Sequence, residues 1–145
     1  MFVTSHALAG ASIGLLVRRP LPAFVAGVAS HVAMDLFPHY GNPAISWDEF
    51  VKLARVDGTV GLGVIAVVAA RAPHDRRLAA LAGIAGASLM DMDKPGRYFV
   101  GRSPFPKVVD RFHRRIQNES PRRHWVEATA AVTLATGLAL LLRRR

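Results

Sequence analysis

Five stretches of the chain, starting near positions 3, 21, 56, 76 and 125, run almost without charge for roughly 15 to 18 residues each. Runs of this length, rich in Ala, Val, Leu and Gly and bounded by polar or proline-containing turns, predict helices. The first, residues 3 to 17, has Thr4 or Ser5 as its expected N-cap and ends at Arg18, Arg19 and Pro20. The second covers 21 to 37, because Pro38 cannot continue a helix and disfavours helical geometry at Phe37. Ser46 or Asp48 caps the third, which reaches about Arg71. The fourth occupies 76 to 90, and the last occupies 124 to 142, closed by Arg143, Arg144 and Arg145. Residues 94 to 105, KPGRYFVGRSPF, read as a loop by their Pro and Gly content. Residues 106 to 117 predict an amphipathic helix with Pro106 at its first position and Val108, Val109, Phe112 and Ile116 on one face. The fold class expected is all-α: an antiparallel bundle of about five apolar helices plus one amphipathic helix, embedded in a membrane or associated with one.

Residues 1–145 are the size of a single helical domain with one core. The chain has no cysteine, which excludes disulfides, thiolate metal sites and cysteine nucleophiles. Its net charge of +9 accompanies a hydrophobic fraction of 51%. That combination suits Arg-rich helix ends meeting anionic lipid headgroups better than nucleic-acid binding, which is not expected. The apolar runs fall somewhat short of the ~20 residues of a spanning helix, so they cross a thin bilayer or enter one leaflet. The first run lacks a basic leader and carries His6, and so does not read as a cleaved signal peptide.

The chemistry-bearing residues have their own pattern. His31 and Asp35 are four apart, which stacks them on one helix face, and His39 follows on the exit turn. Burying a His and an Asp beside Ala, Val and Met costs free energy unless a metal or a hydrogen-bonded network compensates. His6 sits one turn inside the first helix. Asp57 lies where an amphipathic start gives way to an apolar run, with metal, Arg55 and a helix-packing hydrogen bond as its candidate partners. Setting Asp91 against Asp35 aligns Ala82-Gly83 with Ala26-Gly27 and Met90 with Met34, and puts Ala87 opposite His31. The helix ends 26–39 and 82–95 therefore read as an internal duplication in which each half sends a carboxylate to one site. In the amphipathic helix, His113 flanks the apolar face with Asp110 positioned to orient its ring.

Short connections make consecutive helices antiparallel, and the consequence is a sorting by end. His6, Asp35, His39, Asp57, Asp91, Asp93 and the segment bearing His113 all fall at one end. Arg18-Arg19, Arg71 to Arg77 and Arg143 to Arg145 fall at the other. Trp47, Tyr40, Tyr98 and Trp125 lie near the ligand-rich end, as an interfacial aromatic belt would. Loop charge does not orient the chain, since eight Arg at one end face nine Lys and Arg between 94 and 123 at the other.

With TSHALAG, SHVAMDLFPH, the helical Asp57-Gly58, MDMD and FHRRIQ in view, the chain resembles the inner-membrane-associated family of metal-dependent hydrolases. More distantly it is similar to the helical zinc-dependent phospholipase C and P1 nuclease group. The resemblance implies His6, His31, Asp35, Asp57, Asp91 and His113 as metal ligands, and His39 joins them on the residue reading. It also implies a bacterial-type inner-membrane location. Two departures stand out: Lys94 follows Asp93 where the family has His, and Asn118 stands where it has a second His. The expected function is hydrolysis of a phosphoester such as a phospholipid by metal-activated water. One or two ions are expected, zinc first, with manganese or iron as alternatives, and Asp93 or Asp57 is the general base. Arg97, Arg102, Arg114 and Arg115 are the expected phosphate contacts. The alternative is a non-catalytic membrane protein in which a structural metal or buried His/Asp network holds the bundle while it binds lipid or a protein partner.

Overall fold

The computed structural model describes residues 1–143; Arg144 and Arg145, part of the basic cluster expected to close the last helix, lie outside the described residues. The chain is all-α. Its helices are α1 (Val3–Val17), α2 (Pro20–Leu36), α3 (Trp47–Arg71), α4 (His74–Ser88), α5 (Asp93–Val100), α6 (Lys107–Ile116) and α7 (His124–Arg143). Two-residue strands β1 (His39–Tyr40) and β2 (Glu119–Ser120) pair in parallel, His39 opposite Glu119.

Glycine sets the centre of the bundle. A Cβ on Gly10 would lie 2.4 Å from the Gly83 carbonyl oxygen, and one on Gly14 would lie 2.2 Å from that of Ala79, so α1 and α4 run antiparallel in backbone contact. Gly27 meets the same Gly83 oxygen at 2.4 Å from the third side. Small residues permit this approach, as they do wherever helices pack with little help from side-chain volume. Leu8, Leu15, Val68, Ile84 and Leu138 extend the core towards α3 and α7.

Those two outer helices bury little. Only Gly61 and Val68 of α3, and Glu127 and Leu138 of α7, are fully enclosed. Leu62 and Val132 are each 67% exposed on apolar outer faces. Trp47–Arg71 and Pro121–Arg143 are long and apolar enough to cross a membrane.

Three expectations change. The α1 N-cap is Phe2, without a side-chain cap, rather than Thr4 or Ser5. Its first free N–H groups donate instead to carboxylates of the outer helices: Val3 and Thr4 to Asp57 at 2.8 and 3.1 Å, Phe2 to Glu127 at 3.0 Å. Residues 93–100, expected to be mostly loop, form α5, because Pro95 falls in the first turn, where its missing N–H costs nothing. The fourth helix starts at His74 and ends at Ser88, and a 3₁₀ turn over Met90–Met92 redirects the chain. The capping box of α3, Ser46 with Glu49, is present.

The strand pair ties α6 to the end of α2. Asn118 N–H donates to the Asp35 carbonyl at 3.0 Å, and His39 N–H donates to the Asn118 carbonyl at 3.1 Å. This short strap lays α6 across the bundle end with His113 facing inward.

A candidate metal centre

The end of α2, the start of α1, the turn after α4 and the inner face of α6 meet at one buried point. His6, His31 and Asp35 are fully enclosed there, with Asp91 and His113 nearly so. His31 Nδ1 is 2.6 Å from the Ala87 carbonyl oxygen. A carbonyl only accepts, so in neutral His31 the proton sits on Nδ1 and Nε2 presents a lone pair. That Nε2 is 3.1 Å from Asp35 Oδ2, another acceptor, and 3.1 Å from His113 Nε2, which itself lies 3.3 Å from Asp35 Oδ2. The Gln117 amide nitrogen is 3.0 Å from the same His113 Nε2.

Lone pairs this close repel one another unless a proton or a metal ion is shared among them. Donor atoms held about 2.1 Å from one ion stand about 3.0 Å apart in an octahedron and about 3.4 Å apart in a tetrahedron. The separations found here fall between those values. His6 adds to the case: its ring stacks on His31 at 4.0 Å, its Nε2 is 3.2 Å from Asp35 Oδ1 without hydrogen-bond alignment, and both its ring nitrogens lack hydrogen-bond partners. Asp91 Oδ2 and Asp93 Oδ1 are likewise buried and unpartnered. Imidazole and carboxylate are the donors a zinc-type ion takes where thiolate is absent. Three overlapping groups have ligating atoms near enough to share an ion: His6-His31-Asp91, His31-Asp35-His113 and Asp91-Asp93-His113.

The charges around the site divide its two outer carboxylates. Burial alone would push the Asp91 carboxyl up, but the Lys94 ammonium paired with it, helped by His6 and His31, brings it down to about 2. For Asp93 burial prevails over Lys94 and His113, and its carboxyl is raised. Asp93 Oδ1 lies 3.9 Å from His113 Nδ1 at the rim of the cluster.

Other residues expected at the site are placed elsewhere. Asp57 does not join the cluster: both of its oxygens cap α1, so packing rather than ligation accounts for its burial. His39 is buried in the strap, with Nδ1 2.8 Å from the Phe37 carbonyl and Nε2 3.8 Å from Glu119. Asp110 does not orient His113; it accepts from Arg97 and from Ser103, each at 2.7 Å, and so pins α5 to α6. Arg97 is thereby engaged, while Arg102, Arg114 and Arg115 lie exposed on the outer side of this segment. Three participants escaped the sequence reading. Lys94 stands in the sequence only as a departure from a motif, and Gln117 carries no signal that separates it from other polar residues of its helix. Glu127 holds Ser5 Oγ at 2.8 Å, and its signal was a carboxylate inside an apolar helix, the same signal that drew attention to Asp57.

Compared with family models, curated proteins and solved structures, the chain matches none of them.

Proposed function

We propose that this protein is a membrane-associated hydrolase that binds one zinc-type divalent ion through His6, His31, Asp35, Asp91 and His113 and acts on phosphoesters of lipid character. One observation carries the reading: His31 Nε2, His113 Nε2 and Asp35 Oδ2 lie within 3.3 Å of one another at a buried point, at the spacing of ligand atoms around one ion. When bound, such an ion supplies Lewis acidity and a water acidified towards neutrality.

The chain's own groups do the rest. The Ala87 carbonyl fixes the tautomer and tilt of His31. Asp93, its carboxyl raised by burial and its Oδ1 free, is the group placed to take a proton from an attacking water. Asp57 is withdrawn from that role, since both oxygens are committed to α1. Lys94 is the cation nearest the ligands, and it replaces the arginines as the residue facing phosphate charge.

Membrane association rests on the outer faces of α3 and α7, which are apolar and unburied, and on Trp47 and Trp125, 50% and 64% exposed near the ligand-bearing end. Burying a metal site just inside such a surface lets a lipid reach it without leaving the bilayer. The resemblance noted from sequence points the same way, including to a bacterial-type inner membrane.

Activity is tested with zinc-loaded protein in mixed micelles against a chromogenic phosphodiester and short-chain phospholipids. Asp93→Asn is expected to retain metal and lose roughly 10²- to 10⁴-fold in rate, the usual contribution of a general base. A parent that binds metal yet turns over none of these substrates would favour the non-catalytic alternative.

A further inference from the structure

A cleft of about 980 Å³ runs beside the metal cluster, between α3 on one side and the start of α1 and end of α4 on the other. That volume is at the upper end of the range for small-molecule sites, roughly 300 to 1,000 Å³. Its chemistry changes along its length. Away from the cluster the walls are Leu62, Ile65 and Ile84; at the cluster they are Asp91, Lys94 and Gln117. Arg55 stands at this polar end, its guanidinium over the Tyr98 ring and bonded to the Tyr98 hydroxyl, with no carboxylate partner among the described residues. On the α3 wall, Leu62 is itself open to the outside.

We propose that this cleft binds a single acyl chain of an amphiphile with an anionic, phosphate-type head, the tail lying against α3 and the head between Arg55 and Lys94 beside the metal cluster. The proposal rests on the hydrolase reading for its significance and specifies the substrate class of that site, but the binding it asserts is independent of metal. Three features select the occupant. The walls at Leu62, Ile65 and Ile84 offer a soluble phosphoester nothing to bind, Asp91, Lys94 and Gln117 bring polar lining to the ligands, and Arg55 is a cation left for an anion to claim. An unpaired guanidinium at the mouth of an apolar cleft recognises phosphate through its planar fork.

The chain has two tryptophans, and only Trp47 lines this cleft. In Trp125→Phe protein, Trp47 is therefore the sole fluorescent reporter. The probe is a lysophosphatidate brominated in mid-tail, titrated into protein in a non-quenching maltoside, with a monoacylglycerol brominated at the same place as the neutral-head comparison. Saturable quenching is expected for both, tighter for the lysophosphatidate. Arg55→Gln should raise the half-saturating concentration of the lysophosphatidate about tenfold and leave that of the monoacylglycerol unchanged. Gly58 lines the cleft and a Cβ there meets nothing within 4 Å, so the side chains of Gly58→Leu and Gly58→Phe start from open space and take up room in the cleft. Both should abolish saturable quenching while circular dichroism stays unchanged.

Quenching that rises without saturation, or that survives both Gly58 variants, would overturn the proposal, because the tail would then be meeting the general apolar surface. Equal effects of Arg55→Gln on the two probes would overturn the assignment of the head. The titration is run on zinc-loaded and on chelator-treated protein. Saturable quenching in protein that holds no metal would leave the cleft standing although the metal reading had failed. Unsaturable quenching in protein that does bind zinc would remove the cleft alone.

Discussion

His31 on α2 places its Nδ1 2.6 Å from the carbonyl oxygen of Ala87 on α4, so one helix sets the tautomer of a side chain on another. The two positions are also counterparts when Asp35 is set against Asp91, as are Gly27 and Gly83, which touch as well. The absence of a large side chain at position 87 leaves room for the His31 ring. The backbone contact that Gly83 and Gly27 allow brings the Ala87 carbonyl within reach of it.

Helix approach is therefore a condition for the site. A Cβ on Gly83 would stand 2.1 Å from the Gly10 carbonyl oxygen, which cannot move without moving α1. Gly83→Ala should lower stability by about 1–3 kcal/mol or more, as overpacking of tight interfaces does. Gly63→Ala, where a Cβ meets open space, should be neutral or gain up to about 1 kcal/mol from helix propensity. Thermal unfolding midpoints in one detergent compare the two, and a Gly83→Ala midpoint equal to that of Gly63→Ala would refute the close-packed arrangement.

Asp57 separates capping from ligation. Its carboxylate takes the N–H groups of Val3 and Thr4, so Asp57→Ala should cost about 1–2 kcal/mol, the range for a lost N-cap. Metal content should not change. Loss of metal from a folded Asp57→Ala protein would return this residue to the ligand set.

The strap has a pH signature. The His39 ring holds the Glu119 carboxyl below the usual carboxylate range. A carboxyl lowered by folding contributes stability that is present above its unfolded value, about 4.3, and is lost as pH falls through the lower folded value. Glu119→Gln should accordingly melt below the parent at neutral pH, and the two midpoints should draw together as pH falls below about 4. A gap that stays constant with pH would mean Glu119 acts by shape rather than by charge.

How much of this could be read in advance varies with the range of the interactions involved. The helix runs were legible because apolar stretches and breakers such as Pro20 and Pro38 are local signals. The gathering of His6, Asp35 and Asp91 at one end followed from short connections alone. Asp57 was not legible as a cap: a buried carboxylate carries the same sequence signal whether it meets an ion or the N–H groups of another helix 50 residues away. The β1–β2 strap depends on pairing between His39 and Glu119, far apart in sequence and only two residues long, and leaves no pattern in either segment. Pro95 and Gly96 suggested a loop, and position within the first turn of α5 is what made them compatible with helix.

The account stands on a metal shared by His31, His113 and Asp35. Protein purified without a histidine tag, dialysed against zinc and freed of excess, should carry one equivalent by elemental analysis. His31→Ala and Asp35→Asn, folded by circular dichroism, should carry none. A parent that retains no zinc, manganese or iron under these conditions would contradict the account, and would leave the buried histidines and carboxylates as a purely structural hydrogen-bonded network.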